Sequence, residues 1–209
     1  MLQKDIKQIV VSLISELDFY FKENGFVRRY NSLIYTRKID SVIQKIEIVF
    51  FSNPSYHSGA LAHIYPHMQI YIPSVNGTAK EFASHLIPSK WLNQFTIRQP
   101  IQIYSNSGDF YLMDVNDYES LKDQLLDFLK KNAIPLFNGL TSEKDYLSLY
   151  ENKDKRIIWD DNQYLYIAAT YLNEHELIKA KEVIENRFGK KGLRNKYEEV
   201  FEYFENIEE

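Results

Sequence analysis

The chain has 209 residues, of which 44 % are hydrophobic and 26 % charged, with a formal net charge of −4 and no cysteine. A chain of this length buries roughly 70 % of the surface that its unfolded form exposes, which is enough for a core without disulfides or metals. The lack of cysteine excludes thiolate zinc sites, iron–sulfur clusters and cysteine nucleophiles, and the acidic balance argues against a broad basic face for nucleic acid.

The N-terminal part shows a helical pattern followed by a hairpin pattern. Apolar residues recur every three or four positions and predict a helix over residues 3–23, which Gly25 ends in the left-handed conformation that glycine favours. Strand-like residues on both sides of Asn31-Ser32 predict a tight hairpin over residues 26–39.

Further strands are predicted after the hairpin. The alternating apolar residues of 43–52 predict a central, largely buried strand. Residues 63–73 predict the next strand, in which Pro66 indicates an edge or bulged position because proline cannot donate to a sheet ladder. A short helix is expected over residues 79–87, and up to three short strands between residues 95 and 113.

The remainder of the chain reads as mostly helical. Asn116 and Glu119 form a pattern like a capping box before an apolar helical stripe, so a helix is expected over residues 116–131, with "AIPLFNG" ending it. A short helix capped by Ser142 follows. Three more helical segments are predicted at about 162–172, 175–187 and 193–206.

Together these elements predict an α+β protein. A mostly antiparallel sheet of four to six strands is packed by the helices over residues 3–23 and 116–131. Strand patterns nearly disappear after residue 139. We therefore expect an α+β domain over residues 1–138 and a helical C-terminal subdomain over residues 139–209 that packs on it.

The histidines raise the question of a metal site. In an extended strand, alternate side chains share one face, which would here consist of His63, Tyr65, His67, Gln69 and Tyr71. Two histidines four residues apart in a strand lie about 13 Å apart, too far to share one zinc ion. The prediction is therefore a ring-bearing sheet surface without a metal. The alternative is a metal site in which His57 folds from its loop over His63 or His67.

The hairpin carries a second candidate site. If Asn31-Ser32 form its turn, Arg28 lies opposite Tyr35 and Arg37 lies opposite Phe26. Arginines among aromatic rings can stack on bases and bind phosphates. Cross-strand arginine–aromatic pairs also stabilise ordinary sheets, and we favour that interpretation.

Several other functions lack their local motifs. The seven glycines show neither GxGxxG nor GxxxxGK spacing, and the chain has no GxSxG or HExxH motif. No apolar run approaches the roughly 18 residues of a membrane span. The acidic residues of the first helix are unlike a signal peptide. We therefore expect a cytoplasmic protein that binds neither a membrane nor a cofactor.

The order of these landmarks resembles a known family. A helix ending in "ENGF" precedes the basic aromatic hairpin "VRRYNSLIYTR" and the strand "IQKIEIVFFS", and the later helix "LKDQLLDFLKKNAIPLF" precedes "TSEKDYLSLY". Over about residues 17–150 this is similar to bacterial proteins catalogued as a domain of unknown function. The resemblance implies an α+β fold and a bacterial origin, and it brings no active-site residues. The histidine-bearing strand and the helical extension depart from that family's pattern.

These observations favour a non-enzymatic module that binds a protein partner. We expect its binding face to contain Arg28, Tyr35, Arg37, His63, Tyr65, His67, Gln69 and Tyr71. An immunity or toxin-neutralising role belongs to this class, since such proteins are small, acidic, rich in aromatic residues and without catalytic motifs. The alternative is a metal-dependent hydrolase or nuclease using His57, His63 or His67, and a third hypothesis is nucleic-acid binding through the hairpin. The oligomeric state does not follow from the sequence.

Overall fold

The computed structural model describes residues 3–101 and 110–207, which form an α+β fold, as predicted. Its open antiparallel sheet has five strands in the order β1-β2-β3-β4, with β5 also paired to β3. The strands are β1 (Ile34–Ile39), β2 (Val42–Ser52), β3 (Ala62–Tyr71), β4 (Ile97–Pro100) and β5 (Phe110–Leu112).

Helices precede, interrupt and follow the sheet. Those before β5 are α1 (Gln3–Glu16), α2 (Asp18–Glu23), α3 (Pro73–Ala83) and α4 (Ser89–Gln94). Those after it are α5 (Tyr118–Phe128), α6 (Ile134–Asn138), α7 (Glu143–Glu151), α8 (Asp161–Asn173), α9 (Leu177–Phe188), α10 (Leu193–Lys196) and α11 (Glu198–Asn206).

The chain divides into two compact units. The described residues of the first lie within Met1–Ile39, Ile43–Gln69 and Arg98–Gly139, and those of the second within Asp40–Val42, Ile70–Ile97 and Leu140–Glu209. A compact unit is a cluster of contacts, whereas a domain folds alone. The division into domains at residues 138/139 therefore stays a prediction.

In the first unit, the two faces of the sheet differ in burial. Side chains at even positions from Gln44 to Ile48 on β2 are buried, as are Ile64 and Met68 on β3. Phe110 on β5, which pairs with Ile64, contacts Phe128 of α5 at 5.2 Å between ring centroids. The odd positions of β2 and β3 form the opposite side, which we call the outer face.

Two predicted helices differ in detail. The first is divided at Leu17 into α1 and α2. The second begins with a 3₁₀ turn over Val115–Asp117, where Asp114 and Asp117 form the capping box that was predicted for Asn116 and Glu119. Asp114 rather than Asn116 is the N-cap residue, because its short carboxylate accepts from the backbone N–H of Asn116 at 2.8 Å.

Pro135 does not end the second helix, contrary to the prediction. A π-helical turn over Leu129–Ala133 leads directly into α6, with Pro135 as its second residue. Proline in an α-helix collides with the carbonyl four residues earlier and lacks an N–H. The wider turn, with hydrogen bonds to the fifth residue, relieves both constraints.

Pro66 lies in the middle of the sheet, so of the two predicted positions, edge or bulged, the edge position is wrong. β3 has β2 on one side and both β4 and β5 on the other. Residues 62–64 pair with β5, and the Pro66 carbonyl accepts from the N–H of Ile101 at 2.9 Å, just beyond β4. Pro66 thus stands where the neighbouring strand changes, the place at which a missing donor costs least.

The second unit is mainly helical, with one difference from the prediction. α3 begins at Pro73 rather than near residue 79, because proline suits the first helical turn. The helices α8 and α9 pack as an antiparallel pair. The N-cap Ser142 accepts from the backbone N–H of Asp145 as expected, and Asp160 caps α8 by accepting from that of Gln163.

A buried amide organises the second unit. Asn76 of α3 is 1 % exposed, and its side-chain nitrogen donates to the carbonyl oxygens of Trp91, Leu92 and Phe95 at 2.9–3.2 Å. Its oxygen accepts from the hydroxyl of Thr96. At the end of the short helix α4, these bonds add to the one that the Phe95 N–H donates to the Trp91 carbonyl.

We expect Asn76→Ala to lower the free energy of unfolding by about 3 kcal/mol, because buried carbonyls lose their donor. The exposed Asn93 of α4, which bonds only to Ser89, provides a matched control. Urea unfolding should show a change below about 0.5 kcal/mol for Asn93→Ala. Equal effects of the two substitutions would contradict this role for Asn76.

Candidate functional site

The outer face of the first unit carries a continuous set of rings. Tyr65 contacts Phe51 at 6.0 Å, His63 at 4.1 Å and His67 at 6.4 Å between ring centroids. His63 and His57 each lie 4.1 Å from the ring of Tyr111. We call this set the ring cluster; it consists of Phe51, Tyr56, His57, His63, Tyr65, His67 and Tyr111.

The ring cluster follows from strand geometry. His63 and Tyr111 are direct partners in the antiparallel pairing of β3 and β5, so their side chains share a face. Phe51 occupies an odd position of β2, and Tyr65 and His67 are alternate residues of β3. Tyr56 belongs to the loop after β2 and reaches His63 through a 2.8 Å hydrogen bond between its hydroxyl and Nδ1.

Exposure differs sharply within the outer face. His63 is only 1 % exposed and Gln69 only 5 %, whereas Phe51 is 50 % and Tyr56 62 % exposed. The loop residue Tyr56 covers His63, and the Gln69 amide donates to the carboxylate of Glu47. The accessible part of this face therefore lies at Phe51 and Tyr56, which the sequence prediction did not include.

Few charged side chains lie on the outer face, and Lys45 on β2 is one of them. Glu47 on β2 and Arg98 on β4 form an ion pair at 3.3 Å. Burial and the positive charge of Arg98 lower the pKa of His67 below its ordinary 6.5, although Glu47 acts in the opposite direction. The imidazole of His67 is therefore neutral near pH 7.

The three histidines of the alternative metal site do not converge. His57 and His63 both lie on the ring of Tyr111, and His67 follows two positions after Tyr65. In residues 3–101 and 110–207, no group of three or more histidine, aspartate or glutamate side chains is placed to hold a metal ion. The geometry gives the metal-site hypothesis no support.

Arg28 and Tyr35 have internal partners. Val27 and Thr36 form an isolated bridge in the predicted register, but residues 26–30 form no strand. The turn is centred on Tyr30-Asn31 rather than Asn31-Ser32, because the Ser32 N–H donates to the Arg29 carbonyl at 2.9 Å. The Arg28 guanidinium donates to both carboxylate oxygens of Asp18, at 2.6 and 2.9 Å, and its side chain is 7 % exposed. Tyr35 is 1 % exposed and its hydroxyl also donates to Asp18.

The pKa values of the Asp18 and Tyr35 side chains reflect their burial beside Arg28. Burial raises the pKa of Tyr35, and its hydrogen bond to the Asp18 carboxylate adds to that effect. Burial alone would raise the pKa of Asp18, but hydrogen bonds from Arg28 and Tyr35 lower it. Asp18, Arg28 and Tyr35 therefore join the hairpin to helix α2, and the Arg28 cation is not offered to a partner.

Arg37 is also engaged within the first unit. Its guanidinium lies 4.4 Å from the ring of Phe26 and donates to Gln44, to the Asn24 carbonyl and to Asn138 at 2.8–2.9 Å. Tyr71, the remaining predicted site residue, is half-buried and belongs to the second unit. The structure thus places His63, Tyr65, His67 and Gln69 together on the outer face. Arg28, Tyr35 and Arg37 instead form hydrogen bonds within the first unit.

Fold and site together define the class: an α+β protein with a ring-bearing sheet face that carries few charges. No protein-family model, curated protein or solved structure matches the chain. The resemblance to bacterial domains of unknown function therefore stays a prediction. None of the helices in the described part of the chain is both long and apolar enough to cross a bilayer.

Arg28 and Arg29 allow a test of structural against binding roles in the hairpin. Arg28→Ala should lower the free energy of unfolding by about 2 kcal/mol, because Asp18 loses its paired donors. Arg29 is exposed and its side chain forms no bond within the described residues, so Arg29→Ala should change stability by less than about 0.5 kcal/mol. Urea unfolding with similar values for both variants would contradict the structural role.

The lowered pKa of His67 predicts a pH dependence of stability. As pH falls below the unfolded pKa of 6.5, the unfolded chain binds a proton that the folded chain does not, so the free energy of unfolding decreases. In His67→Gln this contribution should vanish, and it should persist in His85→Gln, which alters a surface ion pair with Glu199. Solvent screening at a half-buried ring limits the effect to less than about 1 kcal/mol between about pH 7.5 and pH 5, measured by urea unfolding.

Proposed function

We propose that this protein is a non-enzymatic interaction module that binds another protein at the accessible part of its outer face. The observation that carries the proposal is the exposure of Phe51 and Tyr56 on a sheet face whose other rings are buried or half-buried. Large aromatic side chains are enriched at the centres of protein interfaces, where they supply most of the binding energy.

The surroundings of these two rings support this role. Phe51 rests against Tyr65, and Tyr56 is hydrogen-bonded to His63, so both side chains are ordered before a partner arrives. Binding then costs less conformational entropy than it would for mobile side chains. Met113, 41 % exposed, lies 3.7 Å from the point where a Cβ on Gly59 would stand, and so extends the apolar surface beside the loop.

The low charge of the outer face indicates the chemistry of the partner. The Glu47–Arg98 pair is neutral overall, and His67 is uncharged near pH 7. Interface centres are depleted in charged residues. We therefore expect a partner surface of apolar and aromatic side chains with few charges.

Toxin neutralisation is one role within this class. The bacterial origin and the cytoplasmic location expected from the sequence remain parts of the proposal. The described histidines do not converge on a metal site and the arginines of the hairpin are engaged internally, so these residues favour the interaction module over the hydrolase and nucleic-acid hypotheses.

The test compares two pairs of exposed rings. Phe51→Ala with Tyr56→Ala removes the proposed contacts, whereas Phe19→Ala with Tyr30→Ala removes a phenylalanine and a tyrosine that are 72 % and 93 % exposed elsewhere in the same unit. A protein captured from the source organism by the wild-type chain should be purified and its affinity measured by calorimetry. We expect Kd to rise at least about 30-fold for the first pair, consistent with loss of two anchors, and to stay within about twofold for the second.

Two results would contradict the proposal: equal affinity of both double variants for the purified partner, and a wild-type chain that forms no saturable complex with any captured protein. Circular dichroism and urea unfolding show whether each variant is folded. If the Phe51/Tyr56 variant unfolds, Phe51→Leu, which keeps apolar volume without the ring, should show an intermediate loss of affinity, and an unchanged Kd for it would contradict the proposal.

A further inference from the structure

In the second unit, two loops meet at one end of the α8/α9 helix pair. The ring of Trp159, in the loop before α8, contacts Tyr150 at 5.5 Å, and Tyr150 contacts Tyr164 of α8 at 5.9 Å. The guanidinium of Arg187, at the end of α9, lies 4.7 Å from the Tyr164 ring. Residues 152–160 and 187–196 therefore share this end, which we call the basic end.

The basic end has a charge opposite to that of the whole chain. Its two segments contain eight basic and two acidic residues, whereas the chain as a whole has a net charge of −4. The three arginines are each paired: Arg156 with Asp154, Arg187 with Asp161, and Arg194 with Glu185 and Glu205.

The lysines of the basic end differ from its arginines. The five lysines of the basic end are Lys153, Lys155, Lys190, Lys191 and Lys196. Within residues 140–207, none of these lysines forms an ion pair with a carboxylate. All five are exposed. The Lys196 ammonium lies 3.3 Å from the hydroxyl of Tyr197, which itself donates to Asp161 at 2.9 Å. The paired arginines thus build the surface, and the lysines leave it with an unbalanced positive charge.

A cleft of about 450 Å³ opens at this end of the helix pair. Its polar side consists of Asn162, Tyr197, the cations of Arg187 and Lys196 and the carboxylates of Asp160 and Asp161, and Leu86 and Leu165 form its apolar side. Two further apolar side chains, Ile158 and Leu193, are 37 % and 40 % exposed in the two segments. The charges that line the cleft balance, so the excess positive charge of the basic end comes from its other lysines.

We propose that the basic end binds an acidic segment of a partner protein, with apolar side chains between its carboxylates. The unpaired lysines attract the carboxylates, and the cleft, Ile158 and Leu193 contact the apolar side chains. An acidic peptide fits this surface better than nucleic acid, because Ile158 and Leu193 present exposed aliphatic contacts that apolar side chains can use and a sugar-phosphate backbone cannot.

This surface is independent of the ring cluster. The basic end belongs to the second unit and the ring cluster to the first, and each is defined by its own residues. Substitution of Phe51 and Tyr56 is therefore not expected to change binding of an acidic segment at the basic end.

The test uses the full chain and a short fluorescein-labelled peptide of repeating Glu-Glu-Leu, with fluorescence anisotropy as the readout. We expect saturable binding that weakens as salt rises towards about 0.15 M, because exposed charges are screened at that ionic strength. Lys190→Glu with Lys191→Glu and Lys196→Glu should raise Kd at least about tenfold. Replacing leucine by serine in the peptide should also weaken binding, since the cleft then loses its apolar contacts.

The control changes net charge equally at other sites. Lys7, Lys80 and Lys90 are exposed, and their replacement by glutamate should leave Kd within about threefold of wild type. Equal weakening in both triple variants would assign the attraction to the whole chain and overturn the proposal. It would also be overturned by absence of peptide binding, by tighter binding of single-stranded DNA or inorganic phosphate, or by a self-associated dimer that the Lys190/Lys191/Lys196 variant abolishes.

Discussion

In an extended strand, neighbouring side chains point to opposite faces, and this alternation in β3 is the constraint on which the first unit depends. Ile64 and Met68 lie on the buried face, and His63, Tyr65 and His67 lie on the other. A helical β3 would bring His63 and His67 to one side, four residues apart, at a spacing suited to a metal. The same residues therefore form a core strand with a ring-bearing outer face rather than a metal-ligating pair.

Arginine and lysine have different positions throughout the molecule. Arg28, Arg37 and Arg187 each bind a carboxylate or several carbonyl and amide oxygens and lie over an aromatic ring. Their planar guanidinium presents several donors in fixed directions, so it can satisfy a crowded site. Lysines instead populate exposed positions. Counting basic residues in a segment therefore overstates its attraction for anions unless the paired arginines are subtracted.

Local signals predicted the parts of the fold that depend on neighbouring residues. The bridge between Val27 and Thr36 lies in the register predicted from the strand-like residues around the turn, and the N-cap Ser142 follows from its hydrogen bond to the backbone three residues later. The shared face of His63, Tyr65 and His67 likewise needs only strand alternation.

The features that were not predicted depend on distant residues. Pro66 is tolerated within the sheet because two different strands meet beside it, and Pro135 because a π turn precedes it. Arg28 forms an ion pair with Asp18 of α2, ten positions away in the chain, and Tyr56 joins the ring cluster from a loop through its hydrogen bond with His63. Neither pairing has a sequence pattern, since side-chain direction in a turn is set by the packing around it.

Asn76 is followed by Gly77, and this dipeptide has a chemical consequence. Asparagine before glycine is prone to deamidation, in which the next backbone nitrogen attacks the side-chain carbonyl and ammonia is lost. In the folded chain, helix α3 and the bonds to Trp91, Leu92 and Phe95 hold that amide away from its neighbour. Each excursion to the unfolded state releases it, and the aspartate or isoaspartate formed could no longer donate to those carbonyls. A molecule that has unfolded for long enough would thus carry a permanent covalent record of it, and would return to a weaker fold.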